Sequence, residues 1–108
     1  MRGLFAVIAI LFLGLTAIAR ADQPDDAVSE FYKGHAALQQ NDAQEAIEHF
    51  SKALQIGKLD QTQVAYVHHY RAIAYQRLDR QQEAIDDYTQ ALAIGSLPQR
   101  VQAAIYYN

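Results

Sequence analysis

The chain has 108 residues, of which 51% are hydrophobic and 19% are charged, and it contains neither cysteine nor tryptophan. This length suits one small domain. Because 9 basic and 12 acidic residues leave a formal net charge of -3, no basic surface is available for nucleic acid or an anionic membrane. The lack of cysteine excludes disulfides, thiolate zinc sites, iron–sulfur clusters and cysteine nucleophiles.

The first residues predict a cleavable signal peptide over 1–21. Arg2 supplies a positive start, the stretch Gly3 to Ala19 carries no charge, and Ala19-Arg20-Ala21 fits the small-residue pattern before a cleavage site at Asp22. The mature chain, 22–108, would keep 7 basic and 12 acidic residues, a charge of -5. We therefore expect a periplasmic or secreted protein that does not contact the membrane after cleavage.

Two alternatives concern this leader. Ala17-Ile18-Ala19 offers a second cleavage site two residues earlier. The leader could also stay as a membrane anchor, although its uncharged stretch is at the short limit of the roughly 17 to 25 residues that span a bilayer.

The rest of the chain repeats with a period of 38 residues. Gln44-Glu45-Ala46-Ile47 aligns with Gln82-Glu83-Ala84-Ile85, and Ile56-Gly57 aligns with Ile94-Gly95. Apolar residues recur at spacings of three and four without internal proline, so each unit predicts two helices and no strand. The expected fold class is all-α.

In the first unit, the pattern predicts a leading helix over about 25–40. A second helix begins at Asp42, whose side chain forms a capping box with Glu45, and ends at Gly57. Its apolar face is Ala46, Ile47, Phe50, Ala53 and Leu54.

In the second unit, the leading helix is expected over about 60–78. Four extra residues between Gly57 and Ala65 make it one turn longer. The second helix is predicted to begin at Asp79, which forms a capping box with Gln82, and to end at Gly95. Its apolar face is Ala84, Ile85, Tyr88, Ala91 and Leu92.

A further helix is predicted after the second unit. Ser96 can cap it, Pro98 suits its first turn, and Gln99 completes the capping box.

Small residues held in register predict where the helices cross closely, and bulky residues fill the space between them. Together these expected packing positions are Gly34, Ala46, Phe50, Ala53, Ala72, Ala84, Tyr88 and Ala91.

This pattern resembles the tetratricopeptide repeat family, whose unit has a small residue at its eighth position and alanine, an aromatic residue and alanine further on. Counted from Ala27 and from Ala65, the packing positions match. The chain departs from the family at the fourth position, occupied by Glu30 and His68, and in its longer period. The resemblance implies helix-turn-helix repeats stacked as a short right-handed α-solenoid: repeat 1 about 27–60, repeat 2 about 65–98, and the start of a third from about 103.

The end of the repeat array leaves three alternatives open. Residues Pro98 to Asn108 could form an apolar lid. The face formed by Ala91, Leu92 and Ile94 could instead pair with a second copy as a homodimer, or the chain could be a fragment of a longer protein.

No catalytic, metal or cofactor site is predicted. His35, His49, His68 and His69 lack metal-ligand spacing, so we expect surface or groove histidines. Neighbouring carboxylates such as Asp86-Asp87 are expected on the solvated face of a helix. The sequence also contains no phosphate-binding loop or nucleophile motif.

The resemblance implies that the leading helices line a concave groove that binds a protein partner. The family's ligand-contacting positions fall on Val28, Phe31, Tyr32, His35, Leu38, Gln39, Tyr66, His69, Tyr70, Ile73, Gln76 and Arg77. Phe31, Tyr32 and His35 stand where carboxylate-binding members carry lysines and asparagines, so an apolar or aromatic peptide is favoured.

Two functions follow from these expectations. The first is a non-catalytic adaptor that binds a partner's peptide or helix in the groove. The second is a structural role through self-association of the open repeat end.

Overall fold

The computed structural model describes residues 26–106, which form helices and no strand within that range. The helices are α1 (Ala27–Gln39), α2 (Ala43–Ile56), α3 (Gln61–Arg77), α4 (Gln81–Ile94) and α5 (Gln99–Tyr106). α1 packs on α2 as the first helical hairpin, and α3 packs on α4 as the second. The two hairpins contact each other through α2 and α3. The predicted all-α repeat fold is confirmed, whereas the predicted signal peptide lies outside the described residues.

The leading helices have the predicted difference in length. α1 has 13 residues and α3 has 17. The additional turn, 61–64, precedes Ala65, the equivalent of the first residue of α1. Asp60 starts it with a full capping box, in which its side chain accepts from the Gln63 backbone N–H and the Gln63 side chain accepts from the Asp60 backbone N–H. Among the described helices, none has the length and apolarity to cross a membrane.

In the turns between paired helices, one helix starts one residue later than the sequence predicts. Asn41 and Asp79 are 38 residues apart and both have positive φ, at 63° and 59°. Asp42 follows as the N-cap of α2, where its carboxylate accepts from the Glu45 N–H at 3.1 Å. In the second hairpin the N-cap is Arg80, so the predicted cap at Asp79 is wrong by one residue. Asp79 takes the left-handed turn position, which is incompatible with the extended backbone of a capping residue.

The helix that follows the second hairpin also starts later than predicted. α5 begins at Gln99, so Ser96 does not cap it and Pro98 precedes its first turn. The first turn of α5 is closed by the Pro98 carbonyl, which accepts hydrogen bonds from the N–H groups of Val101 and Gln102. Gly57 and Gly95 end the preceding helices with positive φ as predicted, at 77° and 72°.

Two contiguous clusters form the core, and the predicted packing residues are buried in them. The first lies within repeat 1 and beneath α3, and the second lies between α3, α4 and α5. Leu97 and Ile105 are buried in the second cluster together with Ala91. α5 therefore covers part of the face that the sequence left open.

Ile85 is the exception on the predicted apolar faces. Its equivalent in repeat 1, Ile47, is 6% exposed, whereas Ile85 is 55% exposed. Ile85 therefore lies on an exposed part of the predicted apolar face, because no described helix covers it as α3 covers repeat 1.

Gly34 sets the closest approach between α1 and α2. A Cβ atom built on Gly34 would lie 2.7 Å from both Cδ1 and Cε1 of Phe50, whose side chain is fully buried. The aromatic ring thus occupies the space that a side chain at position 34 would need.

We predict that Gly34→Ala destabilises the protein by about 1–3 kcal/mol, although alanine is the better helix former by about 1 kcal/mol. The reason is that Phe50 must shift within a closed core. Urea unfolding followed by circular dichroism measures the effect, with Ala36→Gly at an exposed position of the same helix as the matched control for helix propensity. A more stable Gly34→Ala protein would show that the ring yields without cost.

Candidate functional site

Five aromatic side chains of α1 and α3 line one open cavity of about 320 Å³. They are Phe31, Tyr32 and His35 from α1, and Tyr66 and Tyr70 from α3. The spacing of four residues, 31 to 35 and 66 to 70, puts the side chains on one face of each helix. Because α1 and α3 lie side by side, the two faces combine into one surface.

The rings contact one another across the two helices. Tyr70 is central: its ring centroid lies 5.9 Å from that of Phe31, 5.0 Å from that of His35 and 6.2 Å from that of Tyr66. The contact with His35 is edge-to-face, and the contact with Tyr66 is stacked. These are favourable aromatic geometries, so the surface is held in shape before any ligand arrives.

A smaller cavity of about 100 Å³ extends this surface towards the start of α3. It shares Phe31, Tyr32 and Tyr66 with the larger cavity and adds Val28, Leu59, Gln63 and Val67. We call the lining of both cavities the aromatic groove. The sequence prediction missed Leu59, Gln63 and Val67. Leu59 and Gln63 lie in the connection and in the additional turn, and the family pattern has no equivalent of these extra residues.

The aromatic groove combines a buried base with exposed edges. Tyr32 is 66% exposed and Val28 is 40% exposed, whereas Phe31 and Tyr70 are half-buried against Phe50. Among the described residues that line the groove, none is an acid, a lysine or an arginine. The groove therefore presents apolar surface with hydroxyl and amide groups at its margin.

The remaining predicted groove residues lie outside these two cavities. Leu38 is buried in the first core cluster, and Ile73 packs against both clusters. Gln39 and Arg77 are exposed, with the Arg77 guanidinium donating to the Leu38 carbonyl at 2.7 Å. The Gln76 side chain accepts a hydrogen bond from the Tyr88 hydroxyl at 2.6 Å.

His69 is buried rather than presented to the groove. Its side chain lies between the rings of Tyr70 and Tyr88, with 9% of the residue exposed, and its Nδ1 atom has no hydrogen-bond partner among residues 26–106. Burial lowers the pKa of His69, because the apolar surroundings disfavour the charged ring. This histidine is therefore neutral at physiological pH.

A buried carboxylate–histidine pair joins the helices of repeat 1. Glu30 on α1 is 1% exposed, and its Oε2 atom accepts from Nδ1 of His49 on α2 at 2.7 Å. Lys33 lies 3.4 Å from the other oxygen. Burial disfavours ionisation of Glu30, but the hydrogen bonds from His49 and Lys33 outweigh it, so the pKa of Glu30 lies below its usual value.

The equivalent pair in repeat 2 includes an arginine that binds both carboxylate oxygens. Asp87 on α4 is 3% exposed and accepts from Nδ1 of His68 at 2.8 Å. Arg71 binds both oxygens of the same carboxylate, at 2.6 and 2.7 Å. Burial opposes ionisation, yet the bonds from Arg71 and His68 lower the pKa of Asp87. The expectation of a solvated Asp87 is wrong, and His49 and His68 are partners of carboxylates rather than free surface histidines.

The two pairs occupy equivalent positions with their residue types exchanged. Glu30 is equivalent to His68 and His49 is equivalent to Asp87, each 38 residues apart. Lys33 and Arg71 are also equivalent and bind the carboxylate in both repeats. This exchange explains the polar residues at the fourth position, where the family usually has a large residue. The sequence signal for this exchange is the alignment of His49 with Asp87, a histidine and a carboxylate at equivalent positions.

The described residues include no cluster of three or more histidines and carboxylates that could hold a metal ion. Glu30 and Asp87, the buried carboxylates in this range, are held in the pairs described above. What the geometry supports is contact with another molecule through the aromatic groove.

Comparison with known proteins identifies the repeat. The tetratricopeptide repeat family matches residues 25–95, about two thirds of the chain. The comparison with curated proteins finds no match, and neither does the comparison with solved structures. Repeats of the matched family generally mediate protein–protein interactions and typically act as non-catalytic scaffolds. With its two helical hairpins and matching packing residues, the chain belongs to the tetratricopeptide repeat family.

Proposed function

We propose that this protein is a non-catalytic interaction module that binds a segment of a partner protein in the aromatic groove. The observation that carries the proposal is the convergence of five aromatic side chains from α1 and α3 on one open cavity. Aromatic residues are enriched at the energetic centres of protein interfaces, because their rings bury large areas with little loss of side-chain entropy.

The chemistry of the groove narrows the class of ligand. Its lining supports apolar and aromatic contacts, with tyrosine hydroxyls and the Gln63 amide for backbone hydrogen bonds. In the part of the chain that the structure describes, its lining contains no lysine or arginine to pair with a terminal carboxylate. We therefore propose that the ligand is an extended peptide or a helix with apolar or aromatic side chains.

The proposal predicts a specific response to mutation in the groove. A peptide library displayed on phage and selected on the intact protein should enrich apolar and aromatic sequences. Binding of the strongest synthetic peptide, measured by isothermal titration calorimetry, should weaken about tenfold or more in Tyr66→Ala, because that side chain lines both cavities.

The matched control is Leu78→Ala, which also removes partly exposed apolar surface but lies at the end of α3, outside the groove. Its binding should equal that of the unmodified protein. Enrichment of acidic peptides, or equal loss in both variants, would refute the groove as the binding surface.

We also propose that the protein is exported to the periplasm or secreted after cleavage before Asp22, as the pattern of residues 1–21 predicts. Expression in a bacterium, followed by fractionation and intact mass spectrometry, tests this. The expected product lacks residues 1–21, and Ala21→Leu should block its formation because the cleavage site needs a small residue. A full-length product in the cytoplasm would contradict the proposal.

A further inference from the structure

The larger cavity of the aromatic groove is surrounded by rings rather than by aliphatic side chains. Each of the side chains that line it, Phe31, Tyr32, His35, Tyr66 and Tyr70, carries an aromatic ring. Tyr32 and Tyr66 come from different helices, and Tyr32 is 66% exposed. Because an aromatic ring is electrostatically negative on its two faces, several rings around one cavity attract a cation.

The smaller cavity has a different lining. It shares three rings with the larger cavity but adds the aliphatic side chains of Val28, Leu59 and Val67. Val67 is fully buried, so the base of this cavity is closed to water. The two adjoining cavities therefore suit two different side chains, a cationic one in the larger and an aliphatic one in the smaller.

A tyrosine outside the groove already has cationic neighbours in this molecule. The ring centroid of Tyr75 lies 4.9 Å from the guanidinium carbon of Arg80 and 5.7 Å from that of Arg71. Both guanidiniums also donate hydrogen bonds to carboxylates, Arg71 to Asp87 and Arg80 to Glu83. A guanidinium can thus lie against a tyrosine ring and keep its N–H groups bonded at the same time.

The charge of the protein also favours a basic ligand. The formal net charge is -3, and the described residues that line the two cavities include no lysine or arginine that would repel a cation. Near the helix starts, Asp26 precedes α1 by one residue, and Lys58 and Asp60 flank Leu59. Two carboxylates and one ammonium at this end of the groove add to the attraction for a cation.

We propose that the partner segment inserts an arginine side chain into the larger cavity, against the rings of Tyr32 and Tyr66, and a neighbouring aliphatic side chain into the smaller cavity. This proposal rests on the function proposed for the aromatic groove and defines the chemistry of its ligand. Arginine is favoured over lysine, because the planar guanidinium stacks on a ring and is less strongly hydrated than an ammonium group.

A purely apolar segment fits the larger cavity less well. The cavity is open to solvent, and the exposed ring of Tyr32 forms part of its wall. An alkyl group placed there would keep part of its surface in water and would gain little from burial. A guanidinium covers the ring with its face, while its edge stays hydrated.

The peptides from the phage selection give the first test. The strongest peptide should contain an arginine close to an aliphatic residue. A synthetic copy with citrulline in place of that arginine keeps the planar shape but has no charge. In isothermal titration calorimetry with the intact protein, citrulline should weaken binding about threefold to thirtyfold.

Two variants of one residue separate the contact with the ring from general apolar contact. Tyr66→Phe keeps the ring, whereas Tyr66→Leu keeps an apolar side chain without a ring. The arginine peptide should bind the Phe variant nearly as well as the unmodified protein and the Leu variant several-fold more weakly. The citrulline peptide should bind the two variants equally, because it has no charge to lose from the ring. Circular dichroism verifies that each variant is folded.

Selected peptides without a basic residue, or equal binding of the arginine and citrulline peptides, would overturn this proposal. The groove itself would still stand if Tyr66→Ala weakened binding and Leu78→Ala did not, so the two failures are distinguishable. Two other outcomes also overturn it. A dimer in light scattering that Tyr66→Leu dissociates would assign the groove to a second copy, and a full chain that binds the peptide only after cleavage before Asp22 would assign it to residues 1–21.

Discussion

A buried carboxylate bound to a histidine across the two helices of each repeat is the constraint on which the rest of the structure depends. Glu30 pairs with His49, and Asp87 pairs with His68. A carboxylate without a partner would be costly in either core. The exchange of residue types also distinguishes the repeats, since pairing α1 with α4 would place Glu30 opposite Asp87. Each leading helix is thus matched to its own second helix.

The aromatic groove forms because each leading helix is paired with its own second helix. Once each hairpin is fixed, close contact of Gly34 with Phe50 brings α1 against α2, and α3 packs beside them. The same faces of α1 and α3 then present Tyr32 and Tyr66 on one surface. The groove is a consequence of repeat stacking, and its specificity depends on which side chains occupy a few exposed positions of two helices.

Much of the fold could be predicted from the sequence, because residues that recur at equivalent positions of the two repeats mark where helices pack and where they end. Small residues such as Ala46 and Ala84 recur where helices meet, and Gly57 and Gly95 recur where they end. The buried carboxylates could not be predicted in this way, since an aspartate such as Asp87 is normally solvated and its burial depends on a histidine and an arginine of another helix. The exposure of Ile85 could not be predicted for a related reason: burial depends on neighbouring helices, which the residue's own pattern does not specify.

The candidate site was predicted in part. The aromatic positions of α1 and α3 meet as the family pattern implies, but Leu38 and His69 are buried in the fold. Their helix positions point towards the groove in a standard repeat, whereas here the neighbouring rings and core cover them. Leu59 enters the site from the connection before α3 and Gln63 from its additional turn, where the pattern gives no guidance.

The most direct test of this account is to give repeat 1 the exchanged pair of repeat 2 and to measure the free energy of unfolding in urea. Glu30→His alone and His49→Asp alone each leave two like groups facing each other and should destabilise the protein by about 2–4 kcal/mol. The double variant restores a histidine–carboxylate pair with opposite polarity, and we expect it to recover more than half of the summed loss. Losses that simply add in the double variant would contradict the claim that this pairing holds the helices of each repeat together.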